Sequence, residues 1–256
     1  MKTSLTIPHR GSDFCILVLL LSLGSLTPST RLLAQELKFK HLSIEDGLSH
    51  SKVNCIYQDS RGFMWFGTNE GLNKYNGYEF TIFQREPDNP HSISANLIRC
   101  ILEDRKGHLW IGTEGGGLNL FDRDLNTFNH FTTDSTSDIR ISGNNVNTIL
   151  EDSRGNLWLG SEKGLDWFDW ENKRVINYLP YPPDRHPQLS NEVTVLLEDR
   201  HHHLWVGTLG GGLCLFDRDK KTFTYYRHCD TDTYNSGDNE IRSLHEDLQG
   251  NLWLGT

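Results

Sequence analysis

The sequence has no excess of basic residues and only one apolar run, and each shortage excludes a class of protein. Lys and Arg number 25 against 34 Asp and Glu, so the formal net charge is -9. A surface that binds nucleic-acid phosphates needs the opposite sign, which argues against nucleic acid as a partner. A single apolar run excludes a membrane protein with several spans. The hydrophobic content of 36%, together with 23 glycines, is that of a globular chain rather than a disordered one.

The one apolar run lies at the N-terminus and predicts a secretory signal peptide over residues 1–34. Lys2 and Arg10 are basic, and the mostly apolar stretch 14–26 follows them. This stretch is shorter than the roughly 20 residues that cross a bilayer. Ala34 offers a small residue at a possible cleavage point, and an uncleaved N-terminal anchor is the alternative. We therefore expect an exported, periplasmic protein.

One phrase recurs five times after the signal segment. Its copies are VNCIYQDSRGFMWFGT (53–68), IRCILEDRKGHLWIGT (98–113), VNTILEDSRGNLWLGS (146–161), VTVLLEDRHHHLWVGT (193–208) and IRSLHEDLQGNLWLGT (241–256). The tryptophans of the phrase are 45, 48, 47 and 48 residues apart: Trp65, Trp110, Trp158, Trp205 and Trp253. A repeat of this length indicates a modular architecture. The fixed place of the tryptophans within the repeat favours core packing over sugar stacking.

Each unit is predicted to form four short antiparallel strands, which we call A to D. Strand A is V-x-x-I, strand B is L-W-x-G, strand C is G-L-x-x-F and strand D is an aromatic run. An aspartate that caps backbone N–H groups begins the A–B turn of every unit: Asp59, Asp104, Asp152, Asp199 and Asp247. The fourth turn has His202 where the others have glycine. Four-stranded antiparallel units of about 40–50 residues are blades of a β-propeller.

The predicted fold is all-β: a β-propeller over residues 35–256 with four complete blades plus strands A and B of a fifth. The blade repeats start near residues 53, 98, 146, 193 and 241. Phe39–Leu42, within 37–43, matches the strand D phrase, so we expect it to be the outer strand of the closing blade. The sequence stops at Thr256, just after a strand B. We therefore expect an incomplete ring in a fragment of a longer protein, with a nearly closed five-blade ring as the alternative.

Removal of the signal segment would leave four cysteines: Cys55, Cys100, Cys214 and Cys229. Cys55 and Cys100 occupy the same position in two consecutive repeats, and equivalent side chains of neighbouring units point the same way rather than at each other. All four are interpreted as buried small side chains or free thiols. A disulfide, which export would permit, is the alternative.

The segments EDSRGNLWLGSEKGL (151–165) and FKHLSIEDGLSHSKVNCIYQDSRGFMWFGTNEGLNKYNGYEF (39–80) resemble the two-component regulator propeller repeat. With the signal segment, the chain resembles the exported N-terminal sensor region of a hybrid two-component histidine kinase. The resemblance implies two seven-bladed propellers, a β-sandwich, one membrane span and a cytoplasmic kinase that feeds a phosphorelay. The sequence contains no kinase histidine box, no ATP-binding glycine motif and no apolar span after residue 35. We therefore expect this chain itself to be non-catalytic.

Several motifs suggest chemistry but have simpler interpretations. Gly115–Gly117 and Gly210–Gly212 lack the features of a phosphate loop and are interpreted as positive-φ turns between strands B and C. Asp and Asn residues in the C–D turns mimic the start of a calcium loop without its Gly and Glu: Asp122, Asp124, Asn126, Asp217 and Asp219. The run 201–203 of three histidines has no Cys or carboxylate constellation for zinc. The Glu-Asp pairs at 103–104, 151–152, 198–199 and 246–247 recur once per blade and are interpreted as turn caps. We predict no metal and no cofactor.

The loops predict where a ligand binds. The D–A connections and the B–C turns vary in length and share one face of an up-and-down blade, and variable loops on a rigid scaffold carry recognition. The candidate ligand-binding residues on this face are Asn69, Glu70, Asn96, Glu114, Asn144, Asn145, Tyr181, Arg185, His186 and Tyr234. Turn capping is an equal interpretation for Asn96, Asn144 and Asn145, which lead into strand A.

Three functions remain open. The first is a sensing module, for which the resemblance implies an oligosaccharide ligand and a homodimer in the full-length protein. The second is a secreted propeller enzyme, a polysaccharide lyase or hydrolase, which would need a polar cluster that occurs once. The third is a protein-interaction scaffold, which the acidic surface and the unusual Trp170 in a C–D turn fit. Proteins with all three functions have the propeller fold, so the fold alone does not distinguish among these functions.

Overall fold

The computed structural model describes residues 39–134, 139–182, 184, 189–226 and 239–256, so the predicted signal segment lies outside the described residues. The chain divides into two compact units, residues 1–41 and 42–256. Apart from one 3₁₀ turn at Ile44–Asp46, the regular structure of the described residues is all strand. The strands are β1 (Val53–Gln58), β2 (Met64–Thr68), β3 (Gly71–Tyr75), β4 (Phe80–Phe83), β5 (Ile98–Glu103), β6 (Leu109–Thr113), β7 (Leu118–Asp122), β8 (Thr127–Phe131), β9 (Val146–Glu151), β10 (Leu157–Ser161), β11 (Gly164–Asp169), β12 (Arg174–Tyr178), β13 (Val193–Glu198), β14 (Leu204–Thr208), β15 (Gly212–Asp217), β16 (Thr222–Tyr226), β17 (Ser243–Glu246) and β18 (Leu252–Gly255).

The strands pair in chain order into four antiparallel four-stranded sheets and one two-stranded sheet. We call them blades one to five: β1–β4, β5–β8, β9–β12, β13–β16 and β17–β18. The first strands of consecutive blades contact one another, β1 with β5, β5 with β9, β9 with β13 and β13 with β17. This arrangement confirms the predicted all-β propeller, and the ring is open.

The core lies between blades rather than within one sheet. Trp65 of blade one packs with Ile98 and Phe121 of blade two, and Trp158 of blade three packs with Leu204 and Phe216 of blade four. The strand B tryptophans of blades one to three are therefore covered by the next blade along the chain. Trp65, Trp110 and Trp158 are buried, Trp205 is half-buried, and Trp253 is 63% exposed. Burial thus follows the presence of a following blade.

The aspartate of each A–B turn holds both the turn and the tryptophan. Asp59 Oδ1 accepts hydrogen bonds from the backbone N–H groups of Arg61 and Phe63, while Asp59 Oδ2 accepts one from Trp65 Nε1 at 2.8 Å. The same Asp–Trp hydrogen bond occurs in the other four units at 2.8–2.9 Å. The sequence predicted the capping role of the aspartate but not its hydrogen bond to the tryptophan. The signal for this bond was the constant spacing of six residues between the aspartate and the tryptophan.

The glutamate before the turn aspartate was expected to cap the turn, but in the structure it contacts the preceding blade. Glu103 of blade two accepts hydrogen bonds from Ser60 N and Oγ of blade one, at 2.6 and 2.8 Å. Glu198 of blade four likewise accepts from Ser153 of blade three. Because successive side chains of a strand point to opposite faces, the two members of a Glu-Asp pair cannot both cap one turn. The aspartate caps its own turn, and the glutamate binds the turn of the preceding blade.

Two arginines in C–D turns add a second bond between blades. Arg123 Nη1 and Nη2 contact Asp59 Oδ2 at 2.6 Å and Glu103 Oε1 at 2.7 Å. Arg218 of blade four contacts Asp152 and Glu198 in the same way, at 2.6 and 2.8 Å. These side chains are almost fully buried.

Blade three has Trp170 at the position of these arginines. Its ring lies edge-on to His108 and Trp110 of blade two, with centroids 5.1 and 5.9 Å apart. Trp170, which the sequence associated with an interaction scaffold, is partly buried and packs against the preceding blade. Its ring therefore takes the place of an ion pair between two blades.

The segment Phe39–Leu42 departs from the expectation of an outer strand. None of its residues is in a strand, and Phe39 is 90% exposed. A strand needs a hydrogen-bonded neighbour, and the last sheet of the described residues contains only β17 and β18. The similarity of Phe39–Leu42 to the strand D phrase was therefore insufficient to define a strand.

Cys55, Cys100 and Cys214 are free thiols, and Cys229 lies outside the described residues. Burial raises the pKa of Cys55 to about 12, and burial also raises the pKa of Cys100 well above its usual value. Both thiols are therefore kept neutral, which makes them unreactive nucleophiles.

His202 adopts the left-handed backbone conformation of the glycine that it replaces, with φ of 63°. A residue with a Cβ is strained there by roughly 1–2 kcal/mol. We expect His202→Gly to raise the free energy of unfolding by about 0.5–1 kcal/mol, because relief of strain exceeds the added freedom of the unfolded chain. Thermal denaturation measures this, and His201→Gly, which removes a neighbouring histidine of the same run, is the control. A lower melting temperature for His202→Gly would contradict the strain argument.

Candidate functional site

The D–A connections and the B–C turns meet at one edge of the blades, which we call the loop face. Its described parts are residues 69–70, 84–97, 114–116, 139–145, 162–163, 179–182, 189–192 and 209–211. The connection between blades one and two bonds to both neighbouring turns: Gly71 N donates to Asn96 O at 2.8 Å, and Glu114 N donates to Leu97 O at 3.0 Å. Leu209 N donates to Glu192 O in the same manner between blades three and four. The two sets of variable loops therefore form one surface.

The asparagines of this face hold loops in shape. Asn96 Oδ1 accepts a hydrogen bond from Arg85 N at 2.7 Å, and Asn144 Oδ1 accepts one from Thr133 N at 2.9 Å. Asn145 Oδ1 accepts from Gly115 N at 2.8 Å. These contacts favour turn capping, the interpretation that the sequence left equal with ligand binding. Asn191, which sequence reasoning missed, accepts from Tyr181 N at 2.6 Å.

Charged side chains remain accessible on the loop face. Arg99, the second residue of β5, forms an ion pair with Glu114 of the B–C turn, so we count Arg99 with the loop face; both side chains are more than two-fifths exposed. Glu70 is exposed, and its carbonyl accepts a hydrogen bond from Gln84 Nε2. Asn69 Oδ1 is held by Asn54 Nδ2 at 3.0 Å. Of the described residues that the sequence suggested, Glu70 and Glu114 are thus the ones that can meet a ligand without breaking loop contacts.

Glu162 was missed by sequence reasoning. Its carboxylate accepts hydrogen bonds from Asn144 N and Asn145 N, at 3.1 and 2.9 Å. It lies in the B–C turn of blade three, where blade two has Glu114. Comparison of the turns across the repeats was a signal that could have found it.

Tyr181 is not available from solvent. Its ring is 1% exposed, its hydroxyl donates to Gly211 O, and it lies 3.3 Å from Cys214 Sγ. A Cβ on Gly211 would overlap the Tyr181 ring. The middle glycine of this Gly-Gly-Gly turn therefore makes room for a loop residue. The flanking Gly210 and Gly212 have positive φ, as expected for the turn.

In blades one to three, a buried polar residue of strand C anchors a connection beneath the loop face. Asn73 Oδ1 accepts from Ser49 N, Asn119 Oδ1 accepts from Ser94 N, and Asp166 Oδ2 accepts from Ser142 N, at 2.8–3.0 Å. In blade three this residue is an acid, and burial raises the pKa of Asp166 despite its hydrogen bonds.

The remaining candidates are three loop residues and the possible metal ligands. Arg185, His186 and Tyr234 lie outside the described residues. No group of three or more His, Cys, Asp or Glu side chains that could hold a metal ion occurs in the described part of the chain. Asp122 Oδ1 accepts from Asp124 N and Leu125 N, and Asp217 caps its own turn in the same way. Among residues 39–134, 139–182, 184, 189–226 and 239–256, no helix is long and apolar enough to cross a membrane.

The repeats of this chain match a known family model. Residues 47–70, 92–115, 140–163 and 187–210 match the two component regulator propeller. Each match begins in the approach to strand A and ends in the B–C turn. The match therefore includes the turn aspartate and the tryptophan, together with part of the loop face.

Two proteins that are similar to this chain carry names that refer to two-component systems or their kinases. Histidine kinase P4 of Formosa agariphila is 46% identical over 56 residues, which are 22% of this chain and 4% of that protein. The extracellular domain of a putative hybrid two component system of B. thetaiotaomicron is 27% identical with a TM-score of 0.71; the match covers 85% of this chain and 29% of that domain. The chain thus spans less than a third of either relative.

Other solved structures share the fold alone. The extracellular domain of a second putative hybrid two component system of B. thetaiotaomicron is 23% identical, with a TM-score of 0.60 over 80% of this chain and 28% of that domain. A virginiamycin B lyase of Staphylococcus aureus is 14% identical, with a TM-score of 0.59 over 81% of this chain and 64% of the lyase. A sensor domain and an enzyme therefore share this blade architecture.

Proposed function

We propose that this chain of two-component regulator propeller repeats is an extracytoplasmic sensing module that recognises an oligosaccharide on its loop face. The observation that carries the proposal is the 27% identity to the extracellular domain of a putative hybrid two component system, over 85% of this chain. The loop face supplies variable side chains on rigid strands, as recognition requires. The module itself is non-catalytic and exported.

Signalling follows from a difference in affinity. A ligand that binds one arrangement of a sensor more tightly than another shifts the population toward that arrangement. A homodimer of the full-length protein would offer two such arrangements. In this scheme the chain contributes recognition, and other parts of the protein carry the signal across the membrane.

The accessible Arg99–Glu114 pair is the part of the loop face that we expect to bind the ligand. We expect calorimetric titration of the protein with neutral tetrasaccharides of xylan, mannan, galactan and β-glucan to give heat with at least one. Replacing both residues, Arg99→Asn with Glu114→Gln, is expected to weaken that binding about tenfold or more, because charged hydrogen-bond partners in a binding surface are lost.

The control is Arg61→Thr, which removes an exposed cation from an A–B turn at the opposite edge of blade one. This variant should bind as the unaltered protein does. A panel that gives no heat would contradict carbohydrate sensing. Binding that survives the double change would contradict the loop-face site while leaving carbohydrate sensing intact.

A further inference from the structure

The outer strands of blade three carry aromatic side chains on the face that looks toward blade four. Trp158, Trp167 and Ile176 are paired across β10, β11 and β12, so their side chains share one face of the sheet. Tyr178 is on the same face, two residues after Ile176. The Trp158 ring lies 5.5 Å from Phe216 of blade four, which identifies the direction of this face.

Comparison with the sister blades shows that this cluster occurs once in the described repeats. Trp167 takes the position of Lys74, Leu120 and Leu215 in strand C of the other blades. Arg174 takes the position that is Thr127 in blade two and Thr222 in blade four. A residue that serves only the blade architecture recurs with the repeat, as the strand B tryptophan does. Trp170 also occurs once, but it is covered by the preceding blade, whereas Arg174 of this set is exposed and Trp167 is half-buried.

The cluster lines a groove of about 290 Å³ between blades three and four. This volume is near the lower end of the about 300–1,000 Å³ that ligand pockets have. The groove opens beside the A–B turn of blade three and the C–D turn of blade four, at the edge opposite the loop face. The site is therefore separate from the one in the proposed function, and the inference does not depend on it.

Four cations line the groove, and none of its described lining residues is acidic: Arg154, Arg174, Arg218 and Lys221. This local excess stands out in a chain of net charge -9. Arg218 is held by Asp152 and Glu198. Arg154 contacts Asp219 at 3.2 Å, but both side chains are more than half exposed, so the pair adds little stability.

Arg174 is positioned over an aromatic surface. Its guanidinium carbon lies 5.5 Å from the centroid of the Trp167 ring, within the range of a cation–π contact. The residue is exposed, as is Lys221 across the groove, while Trp167 and Tyr178 are half-buried. The groove thus offers a flat apolar wall beside two accessible positive charges.

We propose that this groove binds an acidic saccharide, with one sugar ring against Trp167 and its carboxylate or sulfate group paired with Arg174 and Lys221. The apolar face of a sugar ring buries area against an aromatic ring. A guanidinium pairs with such an anion through two parallel hydrogen bonds, and an ammonium adds a point charge. A neutral saccharide would leave both cations without this contact.

Calorimetry at low salt with two acidic probes tests the site. We expect a galacturonate tetramer, a chondroitin sulfate tetrasaccharide or both to bind the protein, and cellotetraose to bind at least tenfold more weakly. Trp167→Leu and Arg174→Thr give blade three the residues of blades two and four, so folding should be retained. Each is expected to weaken binding of the acidic probe at least tenfold. Arg61→Thr, which removes a distant exposed cation, is expected to leave it unchanged.

Each outcome decides the proposal. Binding of the galacturonate tetramer alone would identify the anionic group as a carboxylate, whereas binding of chondroitin sulfate, which carries carboxylate and sulfate groups, would support an acidic ligand without identifying the group. The proposal is overturned if neither acidic probe binds, if cellotetraose binds as tightly, or if both groove variants bind like the unaltered protein. Acidic binding that is lost with Arg99→Asn and Glu114→Gln but survives both groove changes would assign it to the loop face and overturn the groove site.

Discussion

Replacing Trp110 with alanine is expected to lower the free energy of unfolding by about 3–5 kcal/mol. The side chain is fully buried between blades two and three, where it packs with Phe131 and Phe168. Its loss would leave a cavity and remove the hydrogen-bond donor of Asp104, 2.9 Å away. Urea denaturation followed by circular dichroism measures the change, since it does not depend on tryptophan fluorescence.

The chain supplies a matched control for this change. Trp253 has the same repeat position and the same hydrogen bond, to Asp247 at 2.8 Å, but is 63% exposed. We expect Trp253→Ala to cost about 1 kcal/mol or less, because little buried area is lost. Equal losses at the two positions would show that the hydrogen bond, rather than cover by the next blade, determines the role of the tryptophan. Trp110→Phe separates the two contributions, since it keeps a ring and removes the donor.

The blades could be predicted from the sequence because their signal is local and repeated. Strand B with its tryptophan and strand C with its glycine lie within one unit, and five copies reinforce each other. The positive φ of His202 could be predicted for the same reason, since glycine holds that place in the sister turns. Structure that a single repeat contains is therefore readable from the repeat.

Contacts between units were harder to predict. The glutamate bonds to a turn about 45 residues earlier, and the pattern within one repeat does not show which neighbour it meets. Phe39–Leu42 shows the converse error, because four residues that match a strand phrase form no strand in the structure. A strand depends on its neighbour as well as on its own sequence.

The candidate sites show the same difference between what one repeat contains and what depends on contacts between strands and loops. The loop face could be located from loop lengths, yet the asparagines that the sequence suggested are occupied by backbone groups. Trp167 and Arg174 were not selected from the sequence as a ligand site. Only the cross-strand register places Trp167 beside Ile176 and Arg174 opposite Asp169. Departures from the repeat, rather than the repeat itself, were the signal to follow.

Arg123 is the second position at which we expect a substitution to lower stability strongly. It contacts two buried carboxylates at the interface of blades one and two. Asp59 and Glu103 both contact its guanidinium, and their side chains are 0% and 6% exposed. Burial raises the pKa of Asp59, but hydrogen bonds from Arg123 and Trp65 lower it further, so the net shift is downward. Both acids are therefore held in a dry interface by one cation.

Arg123→Ala is expected to lower the free energy of unfolding by about 3–5 kcal/mol at neutral pH, because two buried charges lose their partner. Lys220→Ala is the control, since its pair with Asp217 is exposed and solvent screening leaves it little effect on stability. Urea midpoints of the unaltered protein and both variants measure the difference. A loss at Arg123 no larger than that at Lys220 would mean that water already reaches this interface.

Neutralising one acid should restore part of the stability that Arg123→Ala removes. Adding Glu103→Gln keeps an acceptor for Ser60 and removes one uncompensated charge, so we expect the double variant to be more stable than Arg123→Ala alone.

The stability that Arg123 confers should depend on pH, with a definite sign. The lowered pKa of Asp59 contributes stability above about pH 4, the value for an unfolded aspartate, and that contribution is lost as the pH falls. The deficit of Arg123→Ala should therefore shrink on acidification, and a deficit that is constant from pH 7 to pH 3 would assign it to lost packing of the arginine stem.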